Sequence, residues 1–313
     1  MQQFNTGNIF NLNDNDRTSA SKIFLSIIIV SYNCKSYLKS CLDSIILYKP
    51  GTVSFEIIVV DNNSIDGSAR MIEEEFLKYP FLKLIKNKEN RGFSFANNIA
   101  IKNSSSDYLL LLNSDTQVFE GSIEKLLKFF DDRKKDGEIV GAAGPKIINS
   151  DGSIQLSCRR FPSLFSAGIY TILSKIKPDN RFSKNYKLEN IDRSRPFTVD
   201  WVSGSAVMIS RDAIDNSGYF DERFFMYVED VDLCYRFWQK GFKVYYCPYS
   251  EVLHHIGKSI QDKPLRSQIM MQKSALIFFL KRYRKSPGIL LIPLVLAVLG
   301  FRIIVTWLQN IRK

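Results

Sequence analysis

Acidic side chains are concentrated in one short stretch of this basic chain. Glu229, Asp230 and Asp232 follow the apolar run FFMYV, in a sequence with 43 Lys and Arg against 32 Asp and Glu. A helix that begins at Glu229 would gain from carboxylates in its first turn, where the helix dipole is positive. That gain does not account for three acids in four residues, because their repulsion is costly unless a ligand, a metal or a cation shares the site. The stretch therefore predicts a functional carboxylate site.

Other polar groups follow apolar runs that have the composition of buried strands. The runs cover residues 23–30, 55–60, 82–85 and 108–112. Polar clusters follow three of them, namely Tyr32 with Asn33, residues 61–66, and residues 113–115. Open parallel sheets bind ligands outside the carboxyl ends of their strands. Turns and helix caps remain an alternative for any one cluster, but three in register predict a nucleotide-binding α/β half over 23–120.

Individual residues in these clusters have side chains that suit particular ligands. Asp61 has an acceptor-only carboxylate that suits a base N–H or ribose hydroxyls, and Asn63 belongs to the same turn. Arg91 has a rigid fork of donors that suits a base or a phosphate, although a solvated loop charge remains the simpler explanation. Asp115 follows a buried strand, which is a rigid support for a metal ligand, with a helix cap as the alternative.

The chain has two histidines, His254 and His255, which are adjacent and lie downstream of the acidic stretch. An imidazole beside Asp115 would form a mixed nitrogen and oxygen site, which suits Mn better than Mg. A histidine with an ordinary structural role is the alternative. The sequence therefore predicts a divalent metal, Mn or Mg, held by Asp115 and one of the histidines.

The rest of the chain divides into a tail, a loop region and an apolar C-terminus. Residues 1–22 are polar and Asn-rich, lack the pattern of a secretion signal, and are predicted to be a flexible tail. Residues 142–196 lose the strand and helix patterns, which predicts an insertion or mobile loop. The predicted domains are an α/β domain over 23–265, with its second half at 121–265, and a helical region over 266–313.

The C-terminus combines basic and apolar residues. Lys281, Arg282, Arg284 and Lys285 precede the uncharged, mostly apolar residues 287–301. At about 1.5 Å per residue these fifteen residues span about 22 Å, short of the roughly 30 Å core of a bilayer. We predict attachment to anionic lipid, or a single span if the segment extends to Trp307, with a buried helix in a homodimer as the alternative. The five scattered cysteines favour a reducing compartment, and hence the cytoplasmic side of the plasma membrane.

Taken together, these residues make the chain resemble the family 2 glycosyltransferases of GT-A fold, and within them the bacterial rhamnosyltransferase-like branch. The match covers roughly residues 25–259. It rests on IIIVSYN at 27–33, VVDNNSIDGS at 59–68, NRGFSFANN at 90–98, LLNSDT at 111–116, WVSGS at 201–205, GYFDERFFMYVEDVDL at 218–233 and HHIGKS at 254–259. Each motif is weak by itself, whereas their order and spacing are highly specific.

The resemblance implies an inverting transfer, in which an acceptor hydroxyl attacks the anomeric carbon of a nucleotide-sugar. It implies that Asp230 is the general base and that Glu229 orients it or binds the acceptor. The donor-nucleotide positions of the family fall on Tyr32, Asn33, Asp61, Asn63 and Arg91. Its metal positions fall on Asp115 and His254.

One departure from the family pattern affects the metal site. Asn113 stands where the family has the first Asp of its Asp-x-Asp motif. A neutral amide is a weaker metal ligand, so Asn113 is assigned to the donor ribose, and Asp115 to a metal shared with His254 and the diphosphate. The motif at 201–205 aligns with the wall between donor sugar and acceptor. Trp201 is expected to stack on a sugar face there, beside Gly204 and Asp232.

The branch further implies rhamnose from dTDP-rhamnose as donor and a lipid-linked glycan under assembly as acceptor. A sugar-phosphate nucleotidyltransferase is an alternative, but it would show a Gly-rich basic loop where this chain has SYNCKS. A nucleic-acid-binding protein would gather basic and aromatic residues on one face, whereas much of the excess charge lies in 157–195 and beside the apolar segment. A relative that binds donor without turnover is disfavoured by the intact Asp230.

Overall fold

The computed structural model describes residues 24–163, 180–255, 264–293, 296–298 and 300. The tail predicted over 1–22 lies outside the described residues. So do residues 256–259 of the last motif and residues 301–313 of the apolar C-terminus.

A parallel sheet forms in the first half, as predicted. Its elements are β1 (Leu25–Ser31), α1 (Lys35–Leu47), β2 (Phe55–Asp61), α2 (Ser68–Glu75), β3 (Leu82–Lys86), α3 (Phe93–Lys102) and β4 (Tyr108–Asn113). Strand β1 lies between β2 and β4 and runs parallel to both, so that Ser31 is opposite Asp61 and Val30 is opposite Asn113. The polar residues that follow β1, β2 and β4 therefore meet at one edge of the sheet.

The second half adds eight strands of two to twelve residues and five helices within the described residues. They are β5 (Thr116–Val118), α4 (Ser122–Lys135), β6 (Val140–Asn149), β7 (Ile154–Gln155), β8 (Cys158–Arg159), α5 (Arg181–Tyr186), β9 (Phe197–Thr198), β10 (Trp201–Val202), β11 (Ala206–Ser210), α6 (Arg211–Ser217), α7 (Glu229–Gln239), β12 (Lys243–His254) and α8 (Pro264–Tyr283). A short 3₁₀ helix, Pro287–Leu291, follows α8. The predicted helix start at Glu229 is confirmed.

The described strands form a ten-stranded mixed sheet. Its order is β3-β2-β1-β4-β11-β6-β12-β5, with β7 paired to β6 and β9 paired to β12. Strand β11 is antiparallel to β4 and β6, whereas β6 and β12 are parallel to each other. A separate two-stranded sheet joins β8 and β10 in antiparallel register. The second half therefore continues the nucleotide-binding sheet from its β4 side.

The prediction of loops from residue 142 onward is wrong for β6, which is a ten-residue strand inside the sheet. Its start, GAAG, carries small residues in place of the β-branched ones that indicate a strand. The structure requires them, because a Cβ on Gly141 would lie 2.8 Å from Phe242 Cβ, and one on Gly144 would lie 2.9 Å from Val202 Cβ. Close packing against β6 thus requires small residues, and their presence removes the β-branched pattern by which a strand is predicted.

The two faces of the sheet bury separate apolar cores. In β1, Ile28 contributes to one core, while Ile27 and Ile29 contribute to the other. Helices α3, α6, α7 and α8 pack on the Ile28 side, and α1, α2 and α4 pack on the opposite side. Coverage of both faces explains why the central strands read as continuous apolar runs.

Helix α8 contacts the rest of the protein through two of the basic residues that were predicted to bind lipid. Lys281 Nζ lies 2.9 Å from Asp221 Oδ2 and 2.7 Å from Asp232 Oδ1, and Arg282 donates to the Pro162 carbonyl (2.9 Å). Two members of the basic group are thus bound within the protein. Among the helices that the structure describes, none is long and apolar enough to cross a membrane.

Candidate active site

The turn after β1 braces the neighbouring loop. Asn33 has a positive φ of 49°, a conformation that asparagine tolerates better than most residues. Its Oδ1 accepts a hydrogen bond from the Ile65 N–H (2.8 Å), and its own N–H donates to Ser64 Oγ (3.0 Å). The Asn33 amide therefore holds two strand-end loops together, while the adjacent Tyr32 is exposed and accessible to a ligand.

Asp61 is buried at the end of β2 with one carboxylate oxygen unpaired. Its Oδ2 accepts a hydrogen bond from the Ser64 N–H at 3.0 Å. Its Oδ1 is buried and has no hydrogen-bond partner among the described residues. Leaving such an acceptor unsatisfied is costly, and an N–H or hydroxyl of a nucleoside would satisfy it. Asn63, in the same turn, is exposed and has a φ of 67°.

An asparagine network missed in the sequence holds the loop that carries Arg91. Asn62 Nδ2 donates to Asn90 Oδ1 and to the Gly92 carbonyl, both at 3.1 Å, and Asn62 Oδ1 accepts from Asn87 Nδ2 at 3.0 Å. Arg91 itself is half exposed, and its guanidinium lies 3.7 Å from the centre of the Phe95 ring. The sequence feature that could have indicated this network is Asn62, a polar amide directly after the apolar strand β2.

Residues 203–205 connect the end of β4 to the start of α7. The Asn113 N–H donates to the Ser205 carbonyl (2.8 Å), and the Gly204 N–H donates to Asp230 Oδ2 (3.0 Å). Phe93, which opens α3 directly after Gly92, donates its N–H to the Phe225 carbonyl at 2.7 Å. The structure thus brings the predicted donor, sugar and catalytic positions together around one short segment.

Asp115 and His254 face each other in the interior. His254 Nε2 lies 3.3 Å from Asp115 Oδ1, and both residues are buried. His254 Nδ1 lies 2.9 Å from Gln155 Oε1, an amide oxygen that accepts its hydrogen, so in the neutral imidazole Nε2 is the nitrogen that can bind a metal. A neutral imidazole and a carboxylate in this arrangement suit a shared cation, and the hydrogen bond that Nδ1 donates to Gln155 Oε1 is of the kind that orients metal-ligating histidines.

His255 is directed elsewhere. Its Nδ1 lies 2.8 Å from Ser150 Oγ, its Nε2 lies 3.3 Å from Gln117 Nε2, and its ring packs against Tyr37. Of the two histidines, His254 is therefore the one placed to bind a metal with Asp115. The described residues contain no cluster of three or more His, Cys, Asp or Glu side chains that could hold an ion. A metal at this pair would need further ligands, and substrate phosphate oxygens are suitable ones.

Helix α7 begins after two residues with unfavourable backbone angles. Tyr227 and Val228 have φ values of 68° and 69°, in the left-handed region that β-branched residues rarely adopt. They bring Glu229 into the interior, where its Oε2 is buried without a hydrogen-bond partner among the described residues. Burial, and then the charge of Asp230, raise the pKa of Glu229 well above its usual range.

Asp230 is held by backbone donors. Besides the Gly204 N–H on Oδ2, the Val231 N–H donates to Asp230 Oδ1 at 2.8 Å. Burial raises the pKa of Asp230, while the two N–H groups and the Arg159 charge counteract that rise. A carboxylate with a raised pKa that is fixed in position suits a general base working near neutral pH.

Asp232 and Trp201 do not reach this cluster. Two residues along a helix is more than half a turn, so the Asp232 carboxylate lies away from Asp230, with its oxygens at 2.9 Å from Arg236 Nε and 2.7 Å from Lys281 Nζ. Trp201 is buried, and its Nε1 donates to the Arg160 carbonyl (2.9 Å). Asp232 is thus paired within the fold, and the Trp201 ring lies in the core.

Arg159 is a further cation near this site, and it lies in the region that was predicted only as an insertion or mobile loop. It lies opposite Trp201 in the β8–β10 pair, with its guanidinium over the rings of Trp201 and Tyr186. The site therefore has two parts. We name Asp61, Asn113, Asp115 and His254 the strand-end cluster, and Arg159, Gly204, Glu229 and Asp230 the helix cluster.

Comparison with protein families gives the chemistry of this arrangement. The model of the family described as Glycosyl transferase family 2 matches residues 26–217, and that of Glycosyl transferase family group 2 matches residues 171–312. The chain belongs to glycosyl transferase family 2. Both clusters fall within the matched regions, and the enzyme is a glycosyltransferase.

Individual relatives identify the branch of the family. N-acetylglucosaminyl-diphospho-decaprenol L-rhamnosyltransferase of Mycobacterium tuberculosis is 33% identical over 271 residues, which cover 83% of this chain and 85% of that relative. Rhamnosyltransferase WbbL of Escherichia coli K12 is 26% identical over 259 residues, which cover 77% and 88%. The assignment to the rhamnosyltransferase branch, predicted from the motifs, is confirmed.

Solved structures support the α/β fold of GT-A type. A mannosyltransferase from Pyrobaculum calidifontis, in complex with GDP-Man and Mn2+, has a TM-score of 0.57 at 18% identity and covers 88% of this chain and 69% of its own. Residues 1–349 of Staphylococcus aureus TarS have a TM-score of 0.53 at 17% identity, with coverages of 82% and 66%. At this identity the likeness shows the fold alone.

Proposed function

We propose that this glycosyltransferase moves rhamnose from dTDP-rhamnose, with inversion and with a divalent metal, to a hydroxyl of a diphosphate-lipid-linked glycan. The observation that carries the proposal is the Asp230 carboxylate, fixed by two backbone N–H groups beside the segment that also holds Asn113. The choice of donor and acceptor rests on the names of the rhamnosyltransferase relatives.

In the proposed reaction, Asp230 accepts the proton of the acceptor hydroxyl while that oxygen bonds to the anomeric carbon. The bond from that carbon to the diphosphate oxygen breaks, and the nucleoside diphosphate leaves with the electron pair. Attack opposite the leaving group inverts the anomeric centre. The pKa of Asp230, raised by burial, makes it a stronger base than an exposed aspartate.

The strand-end cluster binds the donor in this proposal. The unpaired Oδ1 of Asp61 accepts a hydrogen bond from the nucleoside, and Asn113 contacts the ribose. Asp115 Oδ1 and His254 Nε2 hold the metal, an arrangement that suits Mn. When bound, such an ion neutralises charge that develops on the leaving diphosphate.

Attachment to anionic lipid at the cytoplasmic face remains part of the proposal. All five cysteines of the chain are free thiols, which suits a reducing compartment. Arg284 and Lys285 are exposed after α8 and are available to lipid headgroups.

Release of nucleoside diphosphate from UDP-, GDP- and dTDP-sugars, with Mn or Mg, tests the proposal. The native chain is compared with Asp230→Asn and with Asp215→Asn, an isosteric change at an exposed position on α6. We expect metal-dependent turnover of dTDP-rhamnose that Asp230→Asn abolishes and Asp215→Asn preserves. Retained anomeric configuration in the product, or turnover unaffected by Asp230→Asn, would overturn the mechanism.

A further inference from the structure

Arg159 has a place in the fold that its own contacts do not explain. It is the last residue of β8, directly opposite Trp201 in β10. Its guanidinium carbon lies 5.5 Å from the centre of the Trp201 ring and 5.9 Å from that of Tyr186. Such cation–π contacts hold a guanidinium near the two rings without using its N–H groups.

The N–H groups of Arg159 are not used within the described part of the chain. Its Nε is buried and has no hydrogen-bond partner there. Arg193 also has a buried Nε without a partner there, but its two terminal nitrogens donate to Cys158 Sγ and to the carbonyls of Lys187 and Leu188. Arg193 is therefore tied into the fold by its terminal nitrogens, whereas those of Arg159 make no such bonds to the described residues and are available to a ligand.

The two-stranded sheet places Arg159 on the acceptor side of the site. Trp201, opposite Arg159, lies three residues before Gly204, whose N–H donates to Asp230 Oδ2. Between them, the Ser203 N–H donates to the Ser157 carbonyl at 2.8 Å, which keeps β8 beside the segment. The positive charge of Arg159 is close enough to lower the pKa of Asp230 against the rise caused by burial.

We infer that Arg159 binds a phosphate group of the acceptor, the diphosphate that links the acceptor sugar to its lipid. A planar fork of N–H donors matches phosphate oxygens, and a phosphate would satisfy the buried Nε. The attacked hydroxyl must reach Asp230, so a diphosphate one sugar away from it lies in the region beside the base. This inference rests on the proposed function, since it assigns one substrate of that same reaction.

Two acceptor probes separate phosphate recognition from general effects on the site. One is N-acetylglucosaminyl diphosphate carrying a short alkyl chain, and the other is the N-acetylglucosaminide of the same chain without phosphate. We expect Arg159→Gln to raise the KM for the diphosphate probe about tenfold or more, the effect of losing one charge-assisted hydrogen bond, and to leave the KM for the neutral probe unchanged. Arg159→Lys should restore part of the loss. Arg160→Gln, at the exposed next residue, is the matched control and should change neither KM.

Binding measurements keep this test independent of turnover. The Kd of the diphosphate probe is measured calorimetrically with dTDP and Mn present, and the Kd of dTDP is measured alone. Weaker probe binding by Arg159→Gln with unchanged dTDP binding supports the inference even if no donor in the panel turns over, which would count only against the proposed donor. Equal losses on both probes, a loss confined to dTDP, or no probe binding by the native chain would overturn it. Thermal unfolding of each variant shows whether the fold is kept, and Arg159→Lys retains the stacked cation if Arg159→Gln does not fold.

Discussion

The strand-end cluster and the helix cluster each hold a buried carboxylate in position, but by different parts of the fold. Each holds a carboxylate with a buried, unpaired oxygen, at Asp61 in the first and at Glu229 in the second. Asp61 is placed by β2, which is in parallel register with β1, and its other oxygen is held by a turn. Glu229 follows two residues with positive φ and lies against a second carboxylate. Position comes from the sheet in one case and from a strained loop in the other.

The two clusters also differ in how much their hydrogen bonding depends on ionisation. The donors around Asp61, Asn33 and Asn62 are backbone and amide groups whose hydrogen bonds do not depend on ionisation. In the helix cluster, burial raises the pKa of both Glu229 and Asp230, so the state of that cluster changes with pH. We therefore expect substitutions of the helix-cluster carboxylates, Glu229 and Asp230, to act on the chemical step, and those in the strand-end cluster to act on donor binding.

The sharpest test of this comparison is Asp230→Asn, which should have the largest effect. An amide of the same shape cannot accept the proton of the acceptor, and loss of a general base lowers rates by about 10² to 10⁴. We expect kcat to fall by about 10³ while the Kd of dTDP-rhamnose stays within twofold. A change in donor affinity larger than the change in kcat would show that Asp230 belongs functionally to the donor side.

Metal dependence should separate His254 from its neighbour. His254→Gln removes the imidazole nitrogen that faces Asp115, so the Kd of dTDP in the presence of Mn should rise by about a hundredfold, with little change in its absence. His255→Gln makes the same change at the neighbouring residue, whose ring contacts Ser150 and Gln117. It should therefore leave the effect of Mn on the Kd of dTDP intact. Equal effects of both variants would mean that the histidine pair is structural.

Sequence reasoning located the strand-end cluster well because its residues follow the strands that position them. Asp61 and Asp115 each stand at or just after the end of an apolar run, so the register of parallel strands was sufficient to bring them to one edge. The helix cluster was only half visible. Glu229 and Asp230 stood out by composition and Gly204 by its motif, but Arg159 comes from a separate two-stranded sheet that leaves no local pattern.

Asp232 shows why composition alone misleads. It was grouped with Glu229 and Asp230 because the three are close in sequence, and the repulsion among them was expected to require a ligand, a metal or a cation. The cations exist within the chain. Arg236 stands four residues after Asp232 on the same helix, a spacing that the sequence itself shows, whereas Lys281 is 49 residues away and no spacing rule links it to Asp232. Long-range pairing of this kind, like the close packing that conceals β6, becomes visible only in the fold.

A smaller effect is expected at Asp61. Asp61→Asn replaces an acceptor oxygen either at the turn or towards the ligand, and loss of one hydrogen bond to a charged group corresponds to roughly a tenfold change in affinity. The Kd of dTDP should therefore rise about tenfold, with kcat at saturating donor nearly unchanged. Asp43→Asn, at an exposed position on α1, serves as the isosteric control. A fall in kcat without a change in Kd would break the division between binding and chemistry.

The smallest effect concerns the stability of the helix cluster. Because the pKa of Glu229 is raised in the folded state, the unfolded chain loses this proton first as pH rises, and ionisation then favours unfolding. Glu229→Gln removes that penalty while keeping the size of the side chain. We expect it to raise Tm at pH 8 by about 3 °C, which is roughly 1 kcal/mol for a domain of this size, and to lose the advantage below about pH 4, near the unfolded pKa of glutamate.

Asp232→Asn is the matched control for that measurement, since it removes a carboxylate whose partners Lys281 and Arg236 are present. It should lower Tm at pH 8, because two cations lose a buried counter-ion. Opposite signs for these two substitutions on the same helix would show that the ionised Glu229 carboxylate destabilises the fold, as its raised pKa predicts. If Glu229→Gln lowers Tm by the same amount at every pH, its carboxylate stabilises the fold in both ionisation states, and the electrostatic contrast between the two clusters is wrong.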